Sequence, residues 1–126
     1  MYRKMCEIEQ LWIDKLMDVE FQGRGILLNQ LKNAKIIYKQ EYDFISIKFV
    51  IEGEVTPYPY HIRVPVEMRA YQKLTAPIVF LLHIINGVIE ELEIFTADST
   101  RIDVGCIELK KVEYEIDPKV SLPGKP

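Results

Sequence analysis

Cysteine and histidine are scarce in this chain, and the scarcity excludes several chemistries. Only Cys6 and Cys106 occur in 126 residues, in no CxxC or Cys/His array, so two free thiols in a reducing compartment are the plainer reading. The two histidines, His61 and His83, have no companions at zinc-ligand spacing. No GKS or GKT phosphate loop is present, and Gly23-Arg24-Gly25 lacks the length and context of a dinucleotide fingerprint. No cofactor and no metal is therefore implied. The longest apolar run, residues 76–85, contains Pro77 and His83 and is too short to span a bilayer as a helix. The opening MYRKMCEIEQLWI has no apolar signal segment, so a cytoplasmic protein without membrane contact is expected. A net charge of −3 leaves no electrostatic footprint for nucleic acid. Arg3-Lys4 and Lys110-Lys111 read as solvated basic pairs.

What is abundant is apolar side chain in regular patterns. Hydrophobic residues make up 48% and charged ones 28%, enough for one α+β domain with its own core. Residues 5–17 have helical periodicity, with Ile8, Leu11, Trp12, Leu16 and Val19 expected inward and Glu7 and Glu9 at the dipole-favoured start. A second short helix is expected over residues 26–31. Strands are expected at 35–40 and 44–52, the latter with Ile45, Ile47, Phe49 and Ile51 on one face. The prolines of TPYPY interrupt pairing. Alternation returns over 61–68, residues 69–75 read as a loop or helical turn, and a last extended segment covers 104–116 with a bulge near Cys106-Ile107. A flexible tail is expected from about residue 118. The fold class is thus one or two N-terminal helices packed on a curved, mainly antiparallel sheet.

The most informative stretch is PIVFLLHIINGVIEELEIFTAD, residues 77–98. Asn86-Gly87 tolerates the two positive φ angles of a type I′ turn, so it should join two antiparallel strands. An uninterrupted ladder from that turn sets Ile84 opposite Ile89, His83 opposite Glu90, Leu82 opposite Glu91 and Phe80 opposite Glu93. Both faces would carry apolar residues and need a cover, supplied by the helices, the tyrosine-rich loop, a second subunit or a partner.

Candidate residues follow from that geometry. His83 with Glu90 reads as a structural cross-strand pair or, less simply, as a base or ligand site. Glu91 and Glu93 share a face, where paired carboxylates can hold a cation, divide acid and base roles, or form an acidic docking patch. Arg63, Arg69 and Arg101 are candidate counter-charges. Tyr58, Tyr60 and Tyr71 could line a recognition groove or pack over the sheet. No nucleophile motif assigns a catalytic residue.

The hairpin motif Asn86-Gly87-Val88-Ile89-Glu90-Glu91-Leu92-Glu93-Ile94-Phe95-Thr96-Ala97-Asp98 resembles one in a poorly characterised group of small bacterial proteins. Gly23 followed by Leu27-Leu28-Asn29-Gln30-Leu31 is similar to a second region of that group. Some of its members resemble immunity proteins of polymorphic toxin systems. The resemblance singles out Gly87, Glu91, Leu92, Glu93, Phe95 and Asp98, and it implies stoichiometric blocking of a toxin. Asn86 stands where aspartate is common in the group, and Phe95 where tyrosine is. The leading expectation is a small interaction module, with Glu91, Glu93, Tyr58, Tyr60, Tyr71 and Asp98 meeting a protein such as a basic toxin domain. Two alternatives stand beside it. One is a ligand-binding protein or enzyme with a pocket between sheet and helices, using His83, Glu90, Arg63 and Arg69. The other is a homodimer that buries the second sheet face.

Overall fold

The computed structural model describes residues 1–73 and 76–123. Two helices, α1 (Glu7–Leu16) and α2 (Arg24–Leu31), precede six strands. These are β1 (Lys35–Gln40), β2 (Phe44–Val50), β3 (Val66–Tyr71), β4 (Ile78–Ile85), β5 (Val88–Thr96) and β6 (Glu108–Ile116). The strands form one sheet in the order β1-β2-β5-β4-β3-β6, with every neighbouring pair antiparallel. Both helices pack on the face that presents Ile36, Ile47, Met68, Phe80 and Leu92. Trp12 of α1 meets Phe80 of β4 edge to face, with ring centroids 6.0 Å apart. This is the α+β architecture that the helical and alternating patterns predict. No helix among the described residues is long and apolar enough to cross a membrane.

The inward stripe of α1 differs from the expected one. Trp12, Ile13 and Leu16 are buried, whereas Leu11 is 53% exposed. The same rotation carries Glu9 into the interior, at 2% exposure. A buried carboxylate is tolerable only when its lone pairs are filled. Here both Arg3 guanidinium nitrogens donate to it at 2.7 and 2.6 Å, and the Cys6 backbone N–H donates at 2.9 Å. Arg3 is thus a structural partner, and its backbone also pairs with Ile36 on β1. Burial alone would push the Glu9 carboxyl up, but the bonds from Arg3 and Cys6 outweigh it and hold the group below its ordinary value. Its stabilising contribution is therefore full above the unfolded value of 4.5 and is lost as pH falls through the lower folded value. We expect Glu9→Gln to lose about 1–3 kcal/mol at pH 7. The gap to wild type should narrow in thermal melts as pH falls below 4.5; a gap independent of pH would refute the ion pair's role.

The third strand lies later than its alternation suggests. Residues 51–65 are irregular, and β3 runs Val66–Tyr71, so Arg69 and Tyr71 are strand residues. Pro57, Pro59 and Pro65 have no N–H for a ladder, while residues 66–71 pair with β4 on one side and β6 on the other. Leu74 and Thr75, at the end of the expected loop, lie outside the described residues. At the other end, Val104–Cys106 is a 3-10 turn, and the irregularity expected there lies between Arg69 and Tyr71 in the β3–β6 pairing. Nor does the chain fray at Pro118. Pro118–Val120 forms a 3-10 turn, Val120 is fully buried, and its carbonyl accepts from the Gln22 N–H at 2.8 Å. Residues 124–126 of the expected tail lie outside the described residues.

Candidate functional site

The β4–β5 hairpin sets the geometry of the exposed sheet face. Asn86 and Gly87 have φ of 53° and 79°, as a type I′ turn requires. Ile85 opposes Val88 and Ile84 opposes Ile89, and then the register shifts. His83 opposes Glu91, Leu82 opposes Leu92, Leu81 opposes Glu93 and Phe80 opposes Ile94. The expected uninterrupted ladder is thereby corrected, with Glu90 as the extra residue of a β-bulge. The physical reason lies in the core. Without the bulge, Glu91 and Glu93 would point at Trp12 and the helices, and two buried carboxylates cost several kcal/mol each. With it, Ile89, Leu92 and Ile94 all turn inward. Ile89 and Leu92 are three apart, a spacing that no regular strand can put on one face.

The bulge also reassigns the polar partners. His83 does not pair with Glu90, which is exposed at the bulge. Instead His83 Nε2 lies 2.9 Å from Glu93 Oε1, and Arg63 Nε–H donates to His83 Nδ1 at 3.1 Å. An arginine donor requires an unprotonated Nδ1, so the ring proton sits on Nε2 and is donated to Glu93. Both ring nitrogens are engaged within the chain, so a metal could bind neither without breaking a contact. The His83 side chain is only 12% exposed and that of Glu93 32%. Glu91 accepts from the Ser46 hydroxyl at 2.5 Å, across the β2–β5 pair. The acidic pair therefore makes bonds inside the chain and is not a free patch.

The remaining candidates separate. Arg69 is bonded to Glu67 at 2.5 Å along β3. The Tyr71 hydroxyl donates to Glu113 of β6, which pushes the phenol up. Tyr71 thus stays on the open face and is 37% exposed. Tyr58 is 4% exposed, its hydroxyl donates to the Gln22 carbonyl at 2.7 Å, and burial pushes its pKa up to about 12. Its ring is committed to packing, and Tyr60 lies against it with centroids 5.2 Å apart. Asp98 accepts from Thr100 and from the Ala76 N–H; these bonds, the Thr100 hydroxyl foremost, hold its carboxyl below the usual range. It is a turn residue of the 97–100 loop.

One residue that the sequence reading left unmarked organises this end of the hairpin. Gln30 of α2 is buried, donates to the Thr56 and Gly87 carbonyls at 3.0 and 2.9 Å, and accepts from the Ile89 N–H at 2.9 Å. A lone glutamine in an apolar helix stripe is the available signal for such a role. A groove of about 560 Å³ lies where the helices meet β1, with Gln10, Leu31 and Lys35 among its walls, and none of His83, Glu90, Arg63 and Arg69 lines it. A groove of about 660 Å³ lies at the hairpin tip, with Tyr60, His61, Arg63, Ile85 and Asn86 among its walls. Among the described residues no three His, Cys, Asp or Glu side chains group to hold a metal ion.

The face opposite the helices is the larger feature. Phe44, Phe95 and Val79 lie side by side on β2, β5 and β4, with Leu81 beside Val79 along β4. Lys39, Lys48, Glu67, Arg69, Glu113 and Glu115 surround them. Neither helix lies over this surface. Comparisons with protein-family models, with curated proteins and with solved structures find no match.

Proposed function

We propose that this chain works by stoichiometric binding of a protein through the open face of its sheet. The observation that supports this is the apolar strip of half-buried Phe44, Phe95 and Leu81 around the buried Val79, set within a charged margin on the face that the helices leave uncovered. An apolar centre with a polar rim is the usual anatomy of a docking surface. A bacterial cytoplasmic inhibitor, blocking a basic toxin domain with Glu91 and Glu93, is the narrower form of this reading. It loses its expected anchor, because those carboxylates already accept from Ser46 and His83.

The test compares affinity capture by the tagged wild type and by Phe95→Lys from the cells that express the protein. Phe95 is half-buried on the face away from the core, so the variant's circular-dichroism melt checks that it remains folded. A protein in roughly equimolar yield with wild type, reduced at least tenfold with the variant, is the expected result. Equal recovery by both, or recovery of no protein, would overturn the proposal.

A further inference from the structure

The groove at the hairpin tip is made by a strap of chain fastened to the hairpin at both ends. The Tyr58 N–H donates to the Gly87 carbonyl at 2.8 Å, and the Ile84 N–H donates to the Arg63 carbonyl at 2.7 Å. Residues 59–62 run between these two fastenings and form one wall, with residues 84–87 forming the other. Pro57 and Pro59 stiffen the strap, and the Tyr60 hydroxyl is held by Gln22 Oε1 at 3.2 Å. The groove is thus preformed, and its volume of about 660 Å³ falls in the roughly 300–1,000 Å³ range of small-molecule sites.

Its walls are apolar except for a few polar groups, and none of those is acidic. Pro59, Tyr60, Ile62 and Ile85 supply apolar surface, and Ile85 is 38% exposed. Arg63 is the charged wall residue, with the His61 ring near it in the chain, and no carboxylate lines the groove. In a chain of net charge −3 this is a local reversal of sign. Arg63 also differs from Arg3 and Arg69, whose guanidinium groups are bonded to Glu9 and Glu67. Among the described residues it forms no salt bridge, and its side-chain bond is the one from Nε–H to His83 Nδ1 at 3.1 Å. That acceptor is an uncharged ring nitrogen, so the contact does not neutralise the guanidinium. Glu93 accepts from the far ring nitrogen and so holds the imidazole in the tautomer that Arg63 needs. The Nε bond fixes the plane of the guanidinium and leaves Nη1 and Nη2 as an unpartnered two-donor fork.

We infer that this groove binds a small carboxylate with an apolar body. The two carboxylate oxygens match the Nη1 and Nη2 donors as a bidentate pair, and Tyr60 and Ile85 cover the body. One fixed guanidinium suits a single negative charge. A phosphate dianion is ordinarily met by further cations or a helix N-terminus, and the walls contain neither a lysine nor a helical residue. His83 and Glu93 are positioning residues that orient Arg63. The site is separate from the Phe44–Phe95 strip, and the inference does not depend on what that strip binds.

Amide NMR spectra of the full chain, titrated with phenylacetate, measure the prediction. Saturable shifts should be confined to residues 58–63 and 84–87, with a Kd of about 1 mM or below. Phenylacetamide, which keeps the shape and lacks the charge, should bind at least roughly tenfold more weakly. Arg63→Gln, at an exposed position outside helix and strand, should weaken phenylacetate by roughly tenfold with an unchanged thermal melt. His83→Leu should weaken phenylacetate and leave phenylacetamide unaffected; an equal effect on both would overturn its positioning role. No saturable shift up to about 10 mM, equal binding of acid and amide, or an Arg63→Gln chain that binds as well as wild type would each overturn the site. Tighter binding of phenyl phosphate than of phenylacetate would overturn the carboxylate class.

Discussion

Phe80→Ala is expected to lower the unfolding free energy by about 3–5 kcal/mol, a third or more of the total for an ordinary small domain. Phe80 is fully buried near the middle of β4, opposite Met68 on one side and Ile94 on the other. Its ring also meets Trp12 with planes at 64° and centroids 6.0 Å apart. It is therefore the point at which three strands and α1 touch. Removing it leaves a cavity that cannot collapse without moving either the helix or the sheet, and the aromatic pair is lost as well. Phe80→Leu, which refills most of the volume, should cost only about 1–2 kcal/mol. Urea unfolding at constant slope measures both. A loss below about 1 kcal/mol for the alanine variant would mean that the helical layer does not rest on this side chain.

Gly87→Ala should come second, at about 2–4 kcal/mol, and for two separable reasons. Gly87 has φ of +79°, a conformation that costs an L side chain about 1–2 kcal/mol. A Cβ there would also lie 2.8 Å from Pro57 Cβ and 3.2 Å from the Tyr58 backbone, because the 56–58 loop lies directly on the turn. The loop is held by the Tyr58 N–H bond to the Gly87 carbonyl at 2.8 Å and by Gln30, so it cannot easily withdraw. Gly53 supplies the control. Its φ is +81°, but nothing lies within 4 Å of its Cβ position, so Gly53→Ala should lose only the backbone contribution of about 1–2 kcal/mol. Equal losses at the two glycines would show that the loop contact on Gly87 carries no energy.

The two substitutions differ in how far the sequence foretells them. Gly87 follows Asn86 between two apolar runs, and a positive φ there is legible from the dipeptide alone. Pro57, thirty residues away, is not. Phe80 is visibly a core candidate, but its alignment with Trp12 depends on the rotation of α1, which the apolar periodicity misplaced by choosing Leu11 over Ile13. The error came from Glu9. A charged residue is normally assigned outward, and only the fold brings Arg3 close enough to satisfy it inside. Tyr58 and Asp98 read equally well as surface or structural groups, and their hydrogen bonds to Gln22 and to Thr100 and Ala76 make them structural.

The sequence by itself determined the α+β class, the positions of both helices, the β1, β2, β4 and β5 segments and the type I′ turn. These are local properties: side-chain direction repeats every 3.6 or two residues, and φ preference belongs to single residues. Only the tertiary structure decided the strand order, the bulge at Glu90 and the partners of the hairpin acids. Ser46 reaches Glu91 from 45 positions away, and Arg63 reaches His83 from 20. A strand's pattern says which of its own side chains share a face. It does not say which neighbour it will pair with, or that burying Ile89 with Leu92 will shift the ladder by one residue and turn both glutamates outward. That choice follows from the summed burial of both strands against the helices, a quantity that exists only once they are packed together.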